Sequence, residues 1–257
     1  MKKLPSRKFV PAHFPSGIDV DRLNRSLLIA VQKAARKWQE NPPQEESVFL
    51  SRLIENLKLP RGGCDVGLEK PMLTVSDVYY LHRKGEKQTD QYGADLAVTL
   101  RIGKSWTKTA IFQLKKSDEY KLQLNRDDLK AAAEDERISK RSFIMAIDQQ
   151  RLGVRLEKIE KLKTVYDNSP AENKTFHTTS WRPLSDWFLK WLRCELSPAS
   201  SNRDPNSIER LLAAFRIEQP EQFDDFDLGH EEINTEDLWH VPAKIWIETT
   251  IQPDEEA

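Results

Sequence analysis

The strongest constraint on the fold is a pair of alternating segments joined by a short turn. "ADLAVTLRI" (94–102) puts Leu96, Val98 and Leu100 on one face. "WTKTAIFQLKK" (106–116) does the same with Ala110, Phe112 and Leu114. Side chains of an extended strand point alternately to opposite sides, so a period of two predicts two strands with one apolar face each. "GKS" between them reads as a hairpin turn, which makes the strands antiparallel neighbours. Asp95, Gln113 and Lys115 fall on the faces opposite these apolar sets, and their presence there needs an explanation.

The flanking segments predict the layers around this hairpin. "DVDRLNRSLLIAVQKAARKWQE" has helical apolar spacing and is ended by "NPP", because proline lacks the donor a helix interior needs. "QEESVFLSRLIENLKL" is a second helix with Leu50, Leu53 and Leu57 as its stripe, stopped by "PRGG". "MLTVSDVYYL" predicts a strand or strand pair, "RDDLKAAAEDERI" a short polar-faced helix, and "SFIMAID" (142–148) a compact strand. The order helix, strand, strand, strand, helix, strand predicts an α/β or α+β architecture with a mixed sheet flanked by helices. Further on, "RLEKIEKLKTVY", "PLSDWFLKWLRCEL" and "SIERLLAAF" read as helices, and "LWHVPAKIWIETTI" as an exposed strand or hairpin. In "PLSDWFLKWLRCEL" Leu184, Trp187, Phe188, Trp191 and Leu192 share a face, so both tryptophans are expected in the core. The chain therefore divides into an N-terminal arm and helix (1–43), a core (44–150), and a C-terminal helical and β extension (151–257) packing on that core, with an acidic loop at 218–237.

Composition excludes some functions. Lys plus Arg (40) and Asp plus Glu (41) nearly cancel, so contact with nucleic acid requires a local basic patch rather than overall charge. Cys64 and Cys194 lie far apart and fit no structural zinc spacing. "MKKLPSRKFVPAHFP" lacks the apolar stretch of a signal peptide. No run approaches the roughly 18 apolar residues of a membrane span, so a cytoplasmic location is the expectation.

Three features converge on one chemistry. In a hairpin the start of one strand lies beside the end of the next, so Asp95 neighbours Gln113 and Lys115. Glu46 lies four, seven and eleven positions before Leu50, Leu53 and Leu57, hence on the buried stripe of its helix. A carboxylate there needs a partner or a metal. Glu45 competes for this role but lies about 100° away around the helix, so Glu46 is preferred. Asp95, Glu46 and the Gln113 carbonyl are hard oxygen donors of the kind that suit Mg2+ or Mn2+. A lysine ammonium nearby can orient hydroxide or neutralise charge on a phosphate. Metal plus lysine is a workable set for hydrolysing a phosphodiester. Lys104, Lys108, Lys116, Lys121 and Arg126 extend the basic character as candidate phosphate contacts.

"GAD" followed on the next strand by "QLK" resembles the core motif of the PD-(D/E)xK, or restriction endonuclease-like, nuclease superfamily. The form is the Mrr-like variant in which glutamine replaces the second acid. The glutamate of "EES" matches the superfamily's N-terminal acidic position, and the resemblance spans roughly residues 44–148. It implies a restriction endonuclease-like fold and Mg2+-dependent endonuclease action on nucleic acid, with DNA the expected substrate. Glu46, Asp95 and Gln113 would bind metal, and Lys115 would be the catalytic lysine. It further implies a role in bacterial defence. A separate expectation is an enzyme that needs a partner, such as an ATPase, before it cuts, with residues 150–257 as a docking surface or a dimer contact. Taken singly, Asp95 is an ordinary turn residue, Gln113 and Lys115 a solvated strand face, and Glu46 an acid suited to a helix start. The alternative function is a catalytically weak or inactive module of the same fold that binds DNA or a partner subunit, because a neutral amide holds Mg2+ less strongly than a carboxylate.

Overall fold

A computed structural model describes residues 24, 25, 28, 29, 72–80, 93–103, 106–148, 153–168, 171–199, 207–209, 212 and 243–253, with the backbone alone given for 72–76, 80, 252 and 253. The strands are β1 (Met72–Tyr80), β2 (Leu96–Ile102), β3 (Trp106–Ser117), β4 (Lys121–Asn125), β5 (Ser142–Asp148), β6 (Val154–Lys158), β7 (Asn173–His177), β8 (Arg182–Pro183) and β9 (Ile245–Pro253). The helices are α1 (Arg126–Glu134), α2 (Glu136–Ser139), α3 (Ile159–Asp167) and α4 (Leu184–Leu192), with one 3-10 turn at Thr178–Ser180. Among the described residues the main sheet has seven strands in the order β1-β9-β2-β3-β5-β6-β8, and β4 and β7 form a separate antiparallel ribbon. The protein is thus α/β, with a mixed central sheet flanked by helices. No described helix is long and apolar enough to cross a membrane.

The hairpin forms as its alternation predicts. β2 and β3 are antiparallel with Leu96 opposite Phe112 and Ile102 opposite Trp106. β5 then runs parallel to β3, with Gln113 opposite Ile144 and Lys115 opposite Ala146. A parallel neighbour needs a crossover, and β4, α1 and α2 supply it. Asn125 caps α1: its side chain accepts from the Asp127 N–H, and Asp128 returns a bond to the Asn125 N–H. The expected single helix over "RDDLKAAAEDERI" is two, because the Asp135 backbone is extended and its side chain caps α2.

The largest departure from expectation is β9. "LWHVPAKIWIETTI" reads as an exposed strand, yet β9 lies inside the sheet, antiparallel to β1 and parallel to β2. Trp246, Ile247 and Ile251 are buried. Three of the seven strands, β6, β8 and β9, come from residues 151–257. "RLEKIEKLKTVY" likewise begins as β6 and becomes helical only at α3. Helix 19–40 falls largely outside the described residues, of which 24, 25, 28 and 29 are helical.

The two faces of the sheet carry two cores. On one, Leu96, Phe112 and Phe143 pack under α4. Trp187 meets Phe112 and Phe143 edge-on at 5.3 and 5.0 Å and stacks on Trp191 at 5.5 Å, so both tryptophans are core as expected. On the other face Ala97, Ile111, Ile144 and Trp246 pack with Leu129 of α1 and Leu162 and Tyr166 of α3. Thr99 and Thr109 bond across the hairpin there at 2.8 Å, and Trp246 donates to Thr99 at 3.0 Å.

Lys108 is buried in the α4-side core. Its ammonium donates to the Ser197 carbonyl and lies 5.8 Å from the Trp191 ring centre. Burial lowers its pKa from 10.5 to about 8, opposed by the Cys194 side chain beside it. Lys108 is therefore not the phosphate contact its sequence position suggests.

Two outcomes follow from this architecture. Burying Trp246, Ile247 and Ile251 contributes about 1.5–3 kcal/mol each, against a total stability of about 5–15 kcal/mol for a folded domain. A chain ending at residue 242 also leaves β1 and β2 with unpaired edges. It should lose cooperative thermal unfolding by circular dichroism, and a retained sharp transition would contradict the β9 placement. For Lys108, native and unfolded chains are both charged below pH 8, and the fold bears the full cost of burial. Between about pH 8 and 10.5 the unfolded chain binds more protons, so stability rises with pH. Urea midpoints should show the native chain gaining up to about 3 kcal/mol relative to Lys108→Met across that window; parallel pH curves would contradict it.

Candidate functional site

The face under α1 carries a polar row at the end of the hairpin. Asp95 immediately precedes β2, and its N–H donates to the Phe112 carbonyl at 2.9 Å. That bond continues the register of Leu96 opposite Phe112 and sets Asp95 opposite Gln113. The Asp95 carboxylate is held at both oxygens: Oδ2 accepts from the Leu114 N–H at 2.9 Å, and Oδ1 pairs with the Lys244 ammonium at 2.8 Å. The sequence thus places Asp95 and Gln113 correctly as neighbours on one face.

Gln113 is 4% exposed, and its Oε1 has no hydrogen-bond partner among the described residues. Its amide nitrogen lies against Gly93, where a Cβ would approach to 3.0 Å. Gly93 has φ +62°, a left-handed conformation that favours glycine. This glycine therefore does two things: it turns the chain into β2 and leaves space for the Gln113 amide. The same missing Cβ would lie 3.8 Å from the Asp128 carbonyl in the first turn of α1.

Lys115 shares the face, two residues beyond Gln113, but its ammonium is turned toward α1. It pairs with Asp128 at 3.5 Å. Both side chains are about a third exposed or less, so this pair is partly solvated and of modest strength. Glu46, like Glu45, lies outside the described residues. Among the described residues no group of three or more His, Cys, Asp or Glu side chains is placed to hold a metal ion. The oxygens available are the Asp95 carboxylate and the Gln113 carbonyl. They are hard donors, and the unpartnered buried carbonyl fits a hard cation such as Mg2+ or Mn2+.

Two further residues belong to this site. Lys244 comes from the turn before β9, and its pairing with Asp95 depends on β9 lying beside β2. Nothing local in "HVPAKIW" signals that. Asp128 had a signal: asparagine followed three residues later by an acid is a capping pattern, and it fixes Asp128 at the start of α1 above Lys115. Of the candidate phosphate contacts, Arg126 donates to the Tyr166 carbonyl at 2.9 Å, which ties α1 to α3. Lys121 is exposed at the start of β4. Asp148, at the end of β5, is not a member of the row: it accepts the Tyr120 N–H at 2.7 Å and pins the turn between β3 and β4.

No protein-family model matches the chain, and no curated protein or solved structure matches it.

Gly93→Ala should destabilise the fold by about 1–2 kcal/mol, the cost of a left-handed non-glycine residue, and displace the Gln113 amide. Urea unfolding measures the first effect, and the Gln113 side-chain amide resonance in an NMR spectrum reports the second. An unchanged midpoint with an unshifted resonance would contradict the contact.

Proposed function

We propose that the protein is a divalent-cation-dependent endonuclease that hydrolyses phosphodiester bonds, with a restriction endonuclease-like core and DNA as its substrate. The observation that carries this reading is the buried Gln113 carbonyl, without a partner among the described residues, on the strand position opposite Asp95. A buried acceptor left without a partner costs roughly 1–3 kcal/mol, and a bound cation would satisfy it. The antiparallel β2–β3 hairpin, the helical crossover and the parallel β5 strand agree with the same reading.

In this reading Asp95 and Gln113 hold the cation, with Glu46 as the third donor. Mg2+ or Mn2+ there would supply Lewis-acid polarisation of the phosphate and a more acidic bound water. The chain's own contribution is positional. The Leu114 N–H fixes the rotation of the Asp95 carboxylate, and the extended backbone of β3 keeps Gln113 and Lys115 on one face. Lys115 supplies positive charge for a phosphate oxygen, and Asp128 holds that ammonium in place until substrate arrives. A role in bacterial defence rests on the motif resemblance alone, and an ATPase or a second copy of the chain is a further proposed partner.

The Lys244–Asp95 pair favours a second reading. An ammonium already neutralises the carboxylate that should hold the metal, and the neighbouring acid position is a neutral amide. A weakly active or inactive module that binds DNA or a partner subunit has this character.

Cleavage of duplex DNA, single-stranded DNA and RNA with Mg2+ or Mn2+ separates the two. Asp95→Ala and Lys115→Ala should each reduce cleavage by roughly 100-fold or more, both variants still unfolding cooperatively by circular dichroism. Full activity in both variants sinks the nuclease assignment, and metal-insensitive DNA binding without cleavage favours the second reading.

A further inference from the structure

Resting on this reading of the site, we propose that Lys244 is a competing cation: its ammonium holds Asp95 before a divalent ion binds and sets how tightly that ion is held. The position of Lys244 follows from the backbone. Its N–H donates to the Ala94 carbonyl at 3.2 Å, and the Ile245 N–H donates to the Asp95 carbonyl at 3.2 Å. These bonds start the parallel β9–β2 ladder, in which Ile245 pairs with Leu96. Lys244 is thereby fixed next to Asp95 whatever its side chain does.

The side chain then closes on the carboxylate. Oδ2 is engaged by the Leu114 N–H, which leaves Oδ1 as the more available oxygen, and Lys244 Nζ sits 2.8 Å from it. A divalent cation held by Asp95 would draw on that same oxygen. Two positive charges within a few ångströms repel each other, so the ammonium must leave or the ion binds more weakly. Leaving is feasible: the Lys244 side chain is 38% exposed, so the released ammonium is readily hydrated. It stays tethered by β9 at the rim of the site, where a substrate phosphate is its next partner. Lys115 does not compete for Asp95 in this way, because its ammonium is turned to Asp128.

The test is Mn2+ binding to the full chain without nucleic acid, read from the free-ion signal in electron paramagnetic resonance. Lys244→Gln should tighten Mn2+ binding about two- to fivefold, the worth of a partly exposed ion pair. Lys244→Arg keeps the charge and should give no such gain, and Asp95→Asn should remove the binding. If Lys244→Gln binds Mn2+ no better than the native chain while Asp95→Asn loses it, the competition is overturned and the metal site stands. Equal tightening in Lys244→Arg overturns charge competition as the cause. If Asp95→Asn binds Mn2+ like the native chain, the metal reading of Asp95 and the role of Lys244 both fall.

Discussion

Strand β2 is bonded on both sides, to β3 from the hairpin and to β9 from the far end of the chain. The second pairing is the constraint on which the rest depends. Without β9, β1 and β2 would have no partner between them, and the sheet would divide there. β9 also brings Trp246 under the helices of one face and Ile247 and Ile251 into the core of the other. A parallel pairing between residues near 100 and near 250 closes a very long loop, and the entropy of that closure must be offset by burial at the strand itself. Trp246, Ile247 and Ile251 supply that burial, on both faces of the strand.

That polar face is held at a cost. Asp95 has a donor at each carboxylate oxygen, so its burial is compensated. Thr99, Thr109 and Trp246 satisfy one another further along the same face. Gln113 Oε1, Ser117 Oγ and one oxygen of Glu209, which Thr109 bonds through its other oxygen, lie buried without a partner among the described residues. Among the described residues the Gln113 amide meets the backbone at Gly93. The neighbouring face positions Ile111 and Ile144 are apolar, and an apolar side chain at 113 would remove the unpaired group.

What the sequence revealed follows the range of the interactions. The β2–β3 hairpin, β5 and α4 were legible because their signals repeat every two, three or four residues within one segment. The neighbourhood of Asp95 and Gln113 came with the hairpin, because its register is set locally. The interior place of β9 was not legible, since alternation describes a strand's faces and not its neighbours. Lys244 stayed hidden for the same reason. Lys108 misled in the opposite way: it sits among basic residues in the sequence, but the alternation that puts Lys115 on the polar face puts Lys108 on the other, under Trp191. β6 reads as the start of a helix because "RLEK" is too short to carry a strand pattern and owes its conformation to pairing with β5.

The charge pattern explains how a glutamine can stand at position 113. Asp95 and Lys244 form one pair, and Lys115 and Asp128 another. Two carboxylates and two ammoniums cancel, and the neutral amide between them leaves that balance undisturbed. A glutamate at 113 would be almost wholly buried next to Asp95. Like charges so close cannot both ionise without a strong opposing cation. A site with a permanent second acid would thus need metal for its own stability. With glutamine the described residues form two ion pairs plus one carbonyl without a partner among them, and a cation would be an addition to the fold, not a condition of it. On the proposed reading, such a nuclease rests inactive with its carboxylate neutralised by its own lysine, and cation supply decides when it acts.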